Sequence, residues 1–457
     1  MTARVRAAAG AARAAGALSR LTGRGGGTTM PGHVLLRLAP DALSELAAGL
    51  PEGVALISAT NGKTTSAAML STILGADRGV CRNVAGANLV SGVASALIAR
   101  PADAAVGVLE VDEAVLPAVA QAVAPRVIAL GNLFRDQLDR HGELEMVADR
   151  WRRMTADLPD ATVLVLGADD PVIDALGDGR ARVLRYGIDD PAVARAERDD
   201  AADSTHCVRC GAAYAYRAVY LGHLGDYACP ACGHARGALD FAARDVRVGG
   251  LAGTSFRLDA PDGAHEVHLP LPGLYNVENA LAAIAVAHAL GVPVTRAVER
   301  LAAFSAAFGR FERLAVDGRE AVLLLFKNPT GANEALRAIG DDLEGSHVVL
   351  ALNDRIADGR DVSWIWDIDL EGALDGAVSV VCTGSRAADL AVRLRYADLP
   401  AGRIDIRTPP EAAFDAAVRD AAPDGRVYVL ATYTAMLDLH RVLSERGLTL
   451  SFWEEGR

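Results

Sequence analysis

Lysine is almost missing from this chain of 457 residues. Lysines and arginines together number 46, and only two of them, Lys63 and Lys327, are lysines. A composition that uses arginine nearly everywhere keeps lysine where a compact, mobile ammonium does what a planar guanidinium fork cannot, and contact with nucleotide phosphates is such a task. Acid is missing too, but only locally: residues 1–40 hold six arginines and no aspartate or glutamate. The whole chain is acidic, with net charge −12 and pI about 5.4, which argues against general nucleic-acid binding. No long unbroken apolar run opens it either. The stretch from Ala7 to Leu21 is interrupted by Arg13 and Arg20, which excludes a secretory h-region and a spanning helix. The sequence leaves three readings of this basic start open: a helix packed on the body, a transit peptide, or a segment that meets an anionic membrane surface or a lipid-linked phosphate. With no secretory signal, the expected location is cytoplasmic, the inner face of the membrane included. Half the residues are apolar, enough for two or three domains of about 150 residues each.

Lys63 sits in Ser58-Ala59-Thr60-Asn61-Gly62-Lys63-Thr64-Thr65, between an apolar run, Val54 to Ile57, and a helical continuation, Ala67-Ala68-Met69-Leu70. Strand, loop and helix in that order make a phosphate loop. Backbone N–H groups of Thr60, Asn61, Gly62 and Thr65 would cradle the phosphates at the helix N-terminus, Lys63 would reach the β/γ-phosphates, and the Thr64 hydroxyl would coordinate Mg²⁺.

Four of the six cysteines form one cluster, Cys207-x2-Cys210 and, after eighteen residues, Cys229-x2-Cys232, each pair followed by glycine, Gly211 or Gly233. That spacing predicts a tetrahedral Cys₄ zinc ribbon, with two disulfides as the alternative. Cys81 and Cys382 lie in apolar runs and read as small core residues rather than nucleophiles.

Short β-branched runs at Val54–Ile57, Val106–Leu109, Val127–Leu130 and Val163–Leu166 are separated by helix-length segments, which implies a parallel sheet with helices on both faces. The alternation restarts near Phe308, with strand candidates at Val322–Phe326, Val348–Leu352, Val378–Cys382 and Val427–Leu430. The expected organisation is a basic segment over residues 1–45, a central α/β domain over 46–305 carrying the ribbon as an insertion at about 203–238, and a Rossmann-like α/β domain over 306–457.

Further segments carry a resemblance. Glu110-Val111-Asp112-Glu113 ends a strand, at the edge where open α/β sheets bind ligands. Gly131-Asn132-Leu133-Phe134-Arg135-Asp136-Gln137-Leu138-Asp139-Arg140-His141-Gly142 follows, then Gly167-Ala168-Asp169-Asp170-Pro171, Gly273-Leu274-Tyr275-Asn276-Val277-Glu278-Asn279-Ala280 and Gly309-Arg310-Phe311-Glu312. In this order, behind the phosphate loop, the chain resembles the Mur ligase family, ATP-dependent enzymes that join amines to carboxylates through an acyl phosphate. The resemblance implies that Glu110 holds Mg²⁺, that Asn276 and Asn279 lie near the adenine, and that Arg310 approaches the nucleotide from the next domain.

The departures narrow it. Ala59 stands where ordinary members have glycine, and Gln137 where they have a metal-binding histidine; no lysine lies between Lys63 and Lys327, so their carbamylated lysine cannot form. The Cys₄ cluster, Phe326-Lys327-Asn328-Pro329-Thr330-Gly331-Ala332-Asn333 and the loop from Leu352 to Asp367, with four aspartates and two tryptophans, are similar to the MurT branch of that family. Gly384-Ser385-Arg386 and Tyr433-Thr434 extend the likeness.

That resemblance implies amidation of the D-glutamate α-carboxylate of lipid II, in peptidoglycan synthesis. Ammonia would come from a separate GatD-type glutaminase subunit, whose Cys-His pair would be completed by Asp361. Two rival readings are a stand-alone Mur or folylpolyglutamate-type ligase, and a zinc-ribbon interaction protein with a degenerate ATP site.

Overall fold

The computed structural model describes residues 1–21, 29–83, 86–135, 144–196, 203–304 and 310–449. In chain order the strands are β1 (Val54–Ser58), β2 (Gly79–Arg82), β3 (Ala104–Glu110), β4 (Val127–Leu130), β5 (Val163–Gly167), β6 (Val183–Ile188), the hairpin β7 (Ala215–Leu221) and β8 (Leu224–Ala228), then β9 (Phe241–Val248), β10 (Thr254–Ala260) and β11 (Gly263–Leu269). All but the hairpin form one sheet, ordered β11-β10-β9-β6-β5-β4-β1-β3-β2. The strands from β2 to β9 in that order run parallel, as the alternating runs imply. Beyond those runs the sheet gains an edge that they did not announce, where β9, β10 and β11 pair antiparallel. A short turn joins β10 to β11, so no crossover helix is needed there, and these strands alternate buried with exposed residues, the pattern of a sheet solvated on one face.

The helix Leu274–Ala289 packs under the central strands with nearly every residue buried, and its run of alanines lets strands approach closely. The N-terminal helix Ala3–Leu21 packs on the body: Val5, Ala8, Ala9 and Ala12 share a core with Leu56, Leu109 and Leu130, and Arg13 donates to the Ile98 carbonyl at 3.1 Å. Its small residues on one face pack as the first of the three readings expects. Among the described residues no helix is long and apolar enough to cross a membrane.

A second sheet is built from β12 (Arg310–Val316), β13 (Arg319–Leu325), β14 (His347–Ala351), β15 (Ser379–Thr383), β16 (Ile404–Ile406) and β17 (Arg426–Ala431), ordered β12-β13-β17-β14-β15-β16. It is parallel apart from the antiparallel β12. This is an α/β architecture of the Rossmann-like kind.

Between β6 and β9 the chain makes the cysteine ribbon. Two knuckles repeat one hydrogen-bond pattern, Gly211 N to Cys207 O at 2.8 Å and Gly233 N to Cys229 O at 3.0 Å, and both glycines need left-handed backbone, φ 75° and 76°. Ribbon side chains reach back to the loop after β5. Arg236 meets Asp169 at 2.7 Å, and His223 meets Asp170 at 3.2 Å.

Candidate functional site

The carboxyl ends of both parallel sheets open on one cleft, a cavity of about 580 Å³. One wall carries residues 60–65, Glu110, Glu113, Asn276 and Asn279, and the other carries residues 324–327, Ile356 and Tyr433. Loops after parallel strands collect here because the strands all point the same way.

The phosphate loop joins β1 to the helix Lys63–Gly75, and Gly62 takes φ 89°. A Cβ there would meet Asn279 Oδ1 at 2.0 Å, so backbone angle and space both demand glycine. Ala59 departs from the usual glycine without strain, since it lies outside the left-handed region, and its methyl group faces Gly131, which has no side chain to oppose it. Asn132 braces the loop reciprocally, accepting from Asn61 N at 2.9 Å and donating to Asn61 O at 3.2 Å. Thr60 Oγ1 accepts from Phe134 N at 3.0 Å, so that side chain buttresses the loop. Thr65 is buried beneath it.

Lys63 Nζ lies 3.0 Å from Glu113 Oε2, with both side chains 6% exposed, and it also donates to the carbonyls of Ala59 and Thr60. Burial would raise the Glu113 carboxyl, but the ammonium groups of Lys63 and Lys327 outweigh it and hold it below the usual range. Glu110 ends β3; its Oε2 accepts from Thr64 Oγ1 at 2.7 Å and its Oε1 from Asn88 at 3.3 Å, while Asn83 fixes its backbone at 2.8 and 2.9 Å. A hydroxyl and a carboxylate oxygen beside a phosphate loop are hard ligands that fit Mg²⁺ shared with phosphates.

Asn279 donates to Asn276 Oδ1 at 3.0 Å and accepts from Ser66 Oγ at 3.3 Å, which ties the helix Leu274–Ala289 to the phosphate loop. Beside them, burial and the neighbouring Asp169 push the Glu278 carboxyl well above its usual range. The Arg310 backbone opens β12, and its side chain lies outside the described residues, as does Gln137.

The structure brings Lys63, Thr64, Glu110, Asn276 and Asn279 into one cleft, but not Asp361. That residue is exposed in the segment after β14, where its carboxylate accepts from Ser363 N at 2.8 Å, a bond that holds it below the usual range. Sequence reasoning missed the contact between the two walls. Asn328 donates to Asn61 Oδ1 at 3.0 Å, Tyr433 reaches Gly86, and Arg195 pairs with Glu334. Asn328 also caps the helix Pro329–Ile339, accepting from Gly331 N at 2.8 Å, and an Asn-Pro step at a helix start was the signal available.

In the ribbon, Cys207 and Cys232 sulfurs are 3.6 Å apart and Cys210 and Cys229 3.5 Å, with all four ligand atoms within 4.8 Å of one another. Sulfurs around a tetrahedral zinc would be about 3.8 Å apart, and a disulfide would need about 2.05 Å. None of the four is joined in a disulfide. Burial opposes ionisation of Cys207, yet backbone N–H groups of Arg209 and Cys210 lower it to about 5. The donor set fits a thiolate-bound metal.

Comparisons with known proteins agree with this layout. Residues 57–223 match the Mur ligase middle domain, and residues 325–436 match the MurT ligase C-terminal domain. The chain is 32% identical over 453 residues to the lipid II isoglutaminyl synthase (glutamine-hydrolyzing) subunit MurT of Streptococcus pneumoniae, covering 94% of this chain and 95% of that one. It is 31% identical over 385 residues to the subunit of the same name from Staphylococcus aureus, covering 83% and 85%. Among solved structures, a pseudomurein peptide ligase type C from Methanothermus fervidus superposes with TM-score 0.67 at 22% identity, covering 88% of this chain and 80% of that one. MurF from Thermotoga maritima in complex with ADP gives 0.64 at 16%, covering 93% and 84%; these two speak for the fold alone. With the likeness running nearly end to end and a matching domain on each side of the cleft, the chain belongs to the MurT family of Mur-type ligase subunits.

Proposed function

We propose that this chain is the ATP-dependent ligase subunit of a glutamine-hydrolysing amidotransferase that converts the D-glutamate α-carboxylate of lipid II into the amide, D-isoglutamine. The observation that carries this reading is the cleft itself, where Lys63, Thr64 and Glu110 face residues following the strands of a second sheet. A carboxylate is a poor electrophile. Its oxygen attacks the γ-phosphorus of ATP, the bond to the bridging oxygen breaks, and the electron pair leaves on ADP. Ammonia then attacks the acyl carbon, phosphate departs with the C–O electron pair, and the nitrogen releases a proton to solvent. Lys63 holds the β/γ-phosphates, the loop amides orient them, and Thr64 with Glu110 would hold Mg²⁺, which supplies charge neutralisation when bound.

None of the six cysteines suits glutaminase chemistry. Four cysteines form the ribbon cluster, and burial pushes the thiols of Cys81 and Cys382 up to about 12. Ammonia therefore comes from a second subunit of the GatD type. Asp361 is exposed and ionised, suited to orient that subunit's histidine. Five residues on, Trp366 is 48% exposed and meets Tyr396, 72% exposed, edge-on at 5.3 Å, an aromatic pair of the kind that subunit interfaces cover.

Co-expression with a GatD-type glutaminase should give a complex that turns lipid II, glutamine and ATP into amidated lipid II, ADP, phosphate and glutamate. Mass spectrometry of the released stem peptide reads the amide. Addition of an amino acid by the chain alone would replace this reading with that of a stand-alone ligase.

The ribbon should hold one zinc per polypeptide, measured by plasma emission on the purified chain. Cys207→Ser should lose the metal and lower the thermal midpoint, because apparent zinc binding of about 10–16 kcal/mol is folding free energy in such sites. Metal-free native protein would refute the assignment.

A further inference from the structure

Both lysines of the chain line the same cleft, from opposite walls. Lys63 stands on the phosphate loop. Lys327 lies in the short turn between the last residue of β13 and the helix Pro329–Ile339. Chance does not favour this meeting, since arginine serves nearly everywhere else on the protein and the two positions come from different sheets.

The turn is held firmly. Phe326 packs against Trp364 with ring centroids 5.8 Å apart, and Asn328 bridges to Asn61 of the phosphate loop at 3.0 Å. Lys327 is thereby fixed next to the residue that touches the phosphate loop. Its charge already registers across the cleft on Glu113, the carboxylate that pairs with Lys63. Lys327 lines the wall opposite residues 60–65, so its ammonium and that of Lys63 enter the cleft from different sides.

We infer that Lys327 is a catalytic residue of the ligase reaction, whose ammonium takes up the negative charge of the phosphoryl group as it passes from ATP to the acceptor carboxylate and again as phosphate leaves. It remains protonated throughout and exchanges no proton with the reactants. Lys63 serves the phosphates in the ground state, whereas Lys327 serves the group in transfer. Point charges placed where charge develops contribute more to the transition state than to binding. An arginine would carry the charge but not the compact, rotatable geometry.

This assignment rests on the proposed amidation, and the test separates the two. In the complex with the glutaminase, supplied with ammonium, MgATP and lipid II, Lys327→Ala should lower kcat by about a hundredfold. Affinity for a non-hydrolysable ATP analogue, measured by calorimetry, should change by less than about tenfold, and Lys327→Arg should recover less than about a tenth of the lost rate. A Lys327→Ala enzyme with kcat within about threefold of wild type overturns the inference, as does a loss confined to nucleotide affinity. Labelling needs no turnover and no variant. Reductive methylation of the wild-type complex, read by mass spectrometry, should modify Lys327 at least about tenfold more slowly when the analogue and Mg²⁺ fill the cleft, and an unchanged rate overturns the inference. Wild-type complex that amidates no lipid II would overturn the proposed function instead, leaving the labelling to decide Lys327.

Discussion

Lys63→Arg is expected to lower both glutamine-dependent and ammonia-dependent amidation by about a thousandfold, with far-ultraviolet circular dichroism unchanged. The Lys63 amine is closely surrounded, by the Ala59 and Thr60 carbonyls and the Glu113 carboxylate, with Lys63 itself 6% exposed. A single ammonium can rotate from these carbonyls to the phosphates when nucleotide enters. A guanidinium fork needs a plane of acceptors and cannot make that swing in the same space. Arginine nonetheless leaves a positive charge opposite Glu113, so the fold keeps its ion pair. Lys63→Ala does not, and breaking a buried pair from one side costs about 3–5 kcal/mol. The two variants therefore divide catalysis from stability. Retention of more than about a tenth of the wild-type rate by Lys63→Arg would sink the phosphate-loop role.

Asp361→Asn should suppress glutamine-dependent amidation by about 10⁴-fold while ammonia supplied at high concentration restores product to nearly the wild-type rate. The asparagine side-chain oxygen can still accept from Ser363 N, as the Asp361 carboxylate does at 2.8 Å, so the local backbone stays in place. What is lost is charge, and charge is what holds an imidazole in the right tautomer and stabilises it when protonated. The ATP cleft does not include Asp361, so the acyl-transfer half should be untouched. Two outcomes would remove the residue from this role. One is undiminished glutamine hydrolysis in the complex. The other is loss of the ammonia-dependent reaction as deep as that of Lys63→Arg.

Local chemistry was legible along the chain because its causes are local. Gly62 marks a left-handed turn before a helix, Gly211 and Gly233 mark the same turn after each cysteine pair, and β-branched runs ending in Ser58 and Glu110 mark buried parallel strands with polar residues at their carboxyl ends. Those features depend on backbone angles and on periods of a few residues, which sequence records directly. The antiparallel edge β9-β10-β11 went unread: β10 carries only a short period-two alternation, a weaker mark than the continuous apolar runs of the buried strands, and pairing direction depends on contacts distant along the chain.

The sequence by itself determined the phosphate loop, the cysteine cluster and the scarcity that makes both lysines conspicuous. Only the tertiary structure decided that Glu113 partners Lys63, that Asn328 meets Asn61, and that Lys327 faces the nucleotide loop across the cleft. It also decided that the N-terminal helix is part of the core and that Asp361 stands apart from the ATP cleft at the surface. The reason is physical: pairings between groups distant along the chain are fixed by how two sheets pack and by where their loops end, and neither leaves a trace in the spacing of residues.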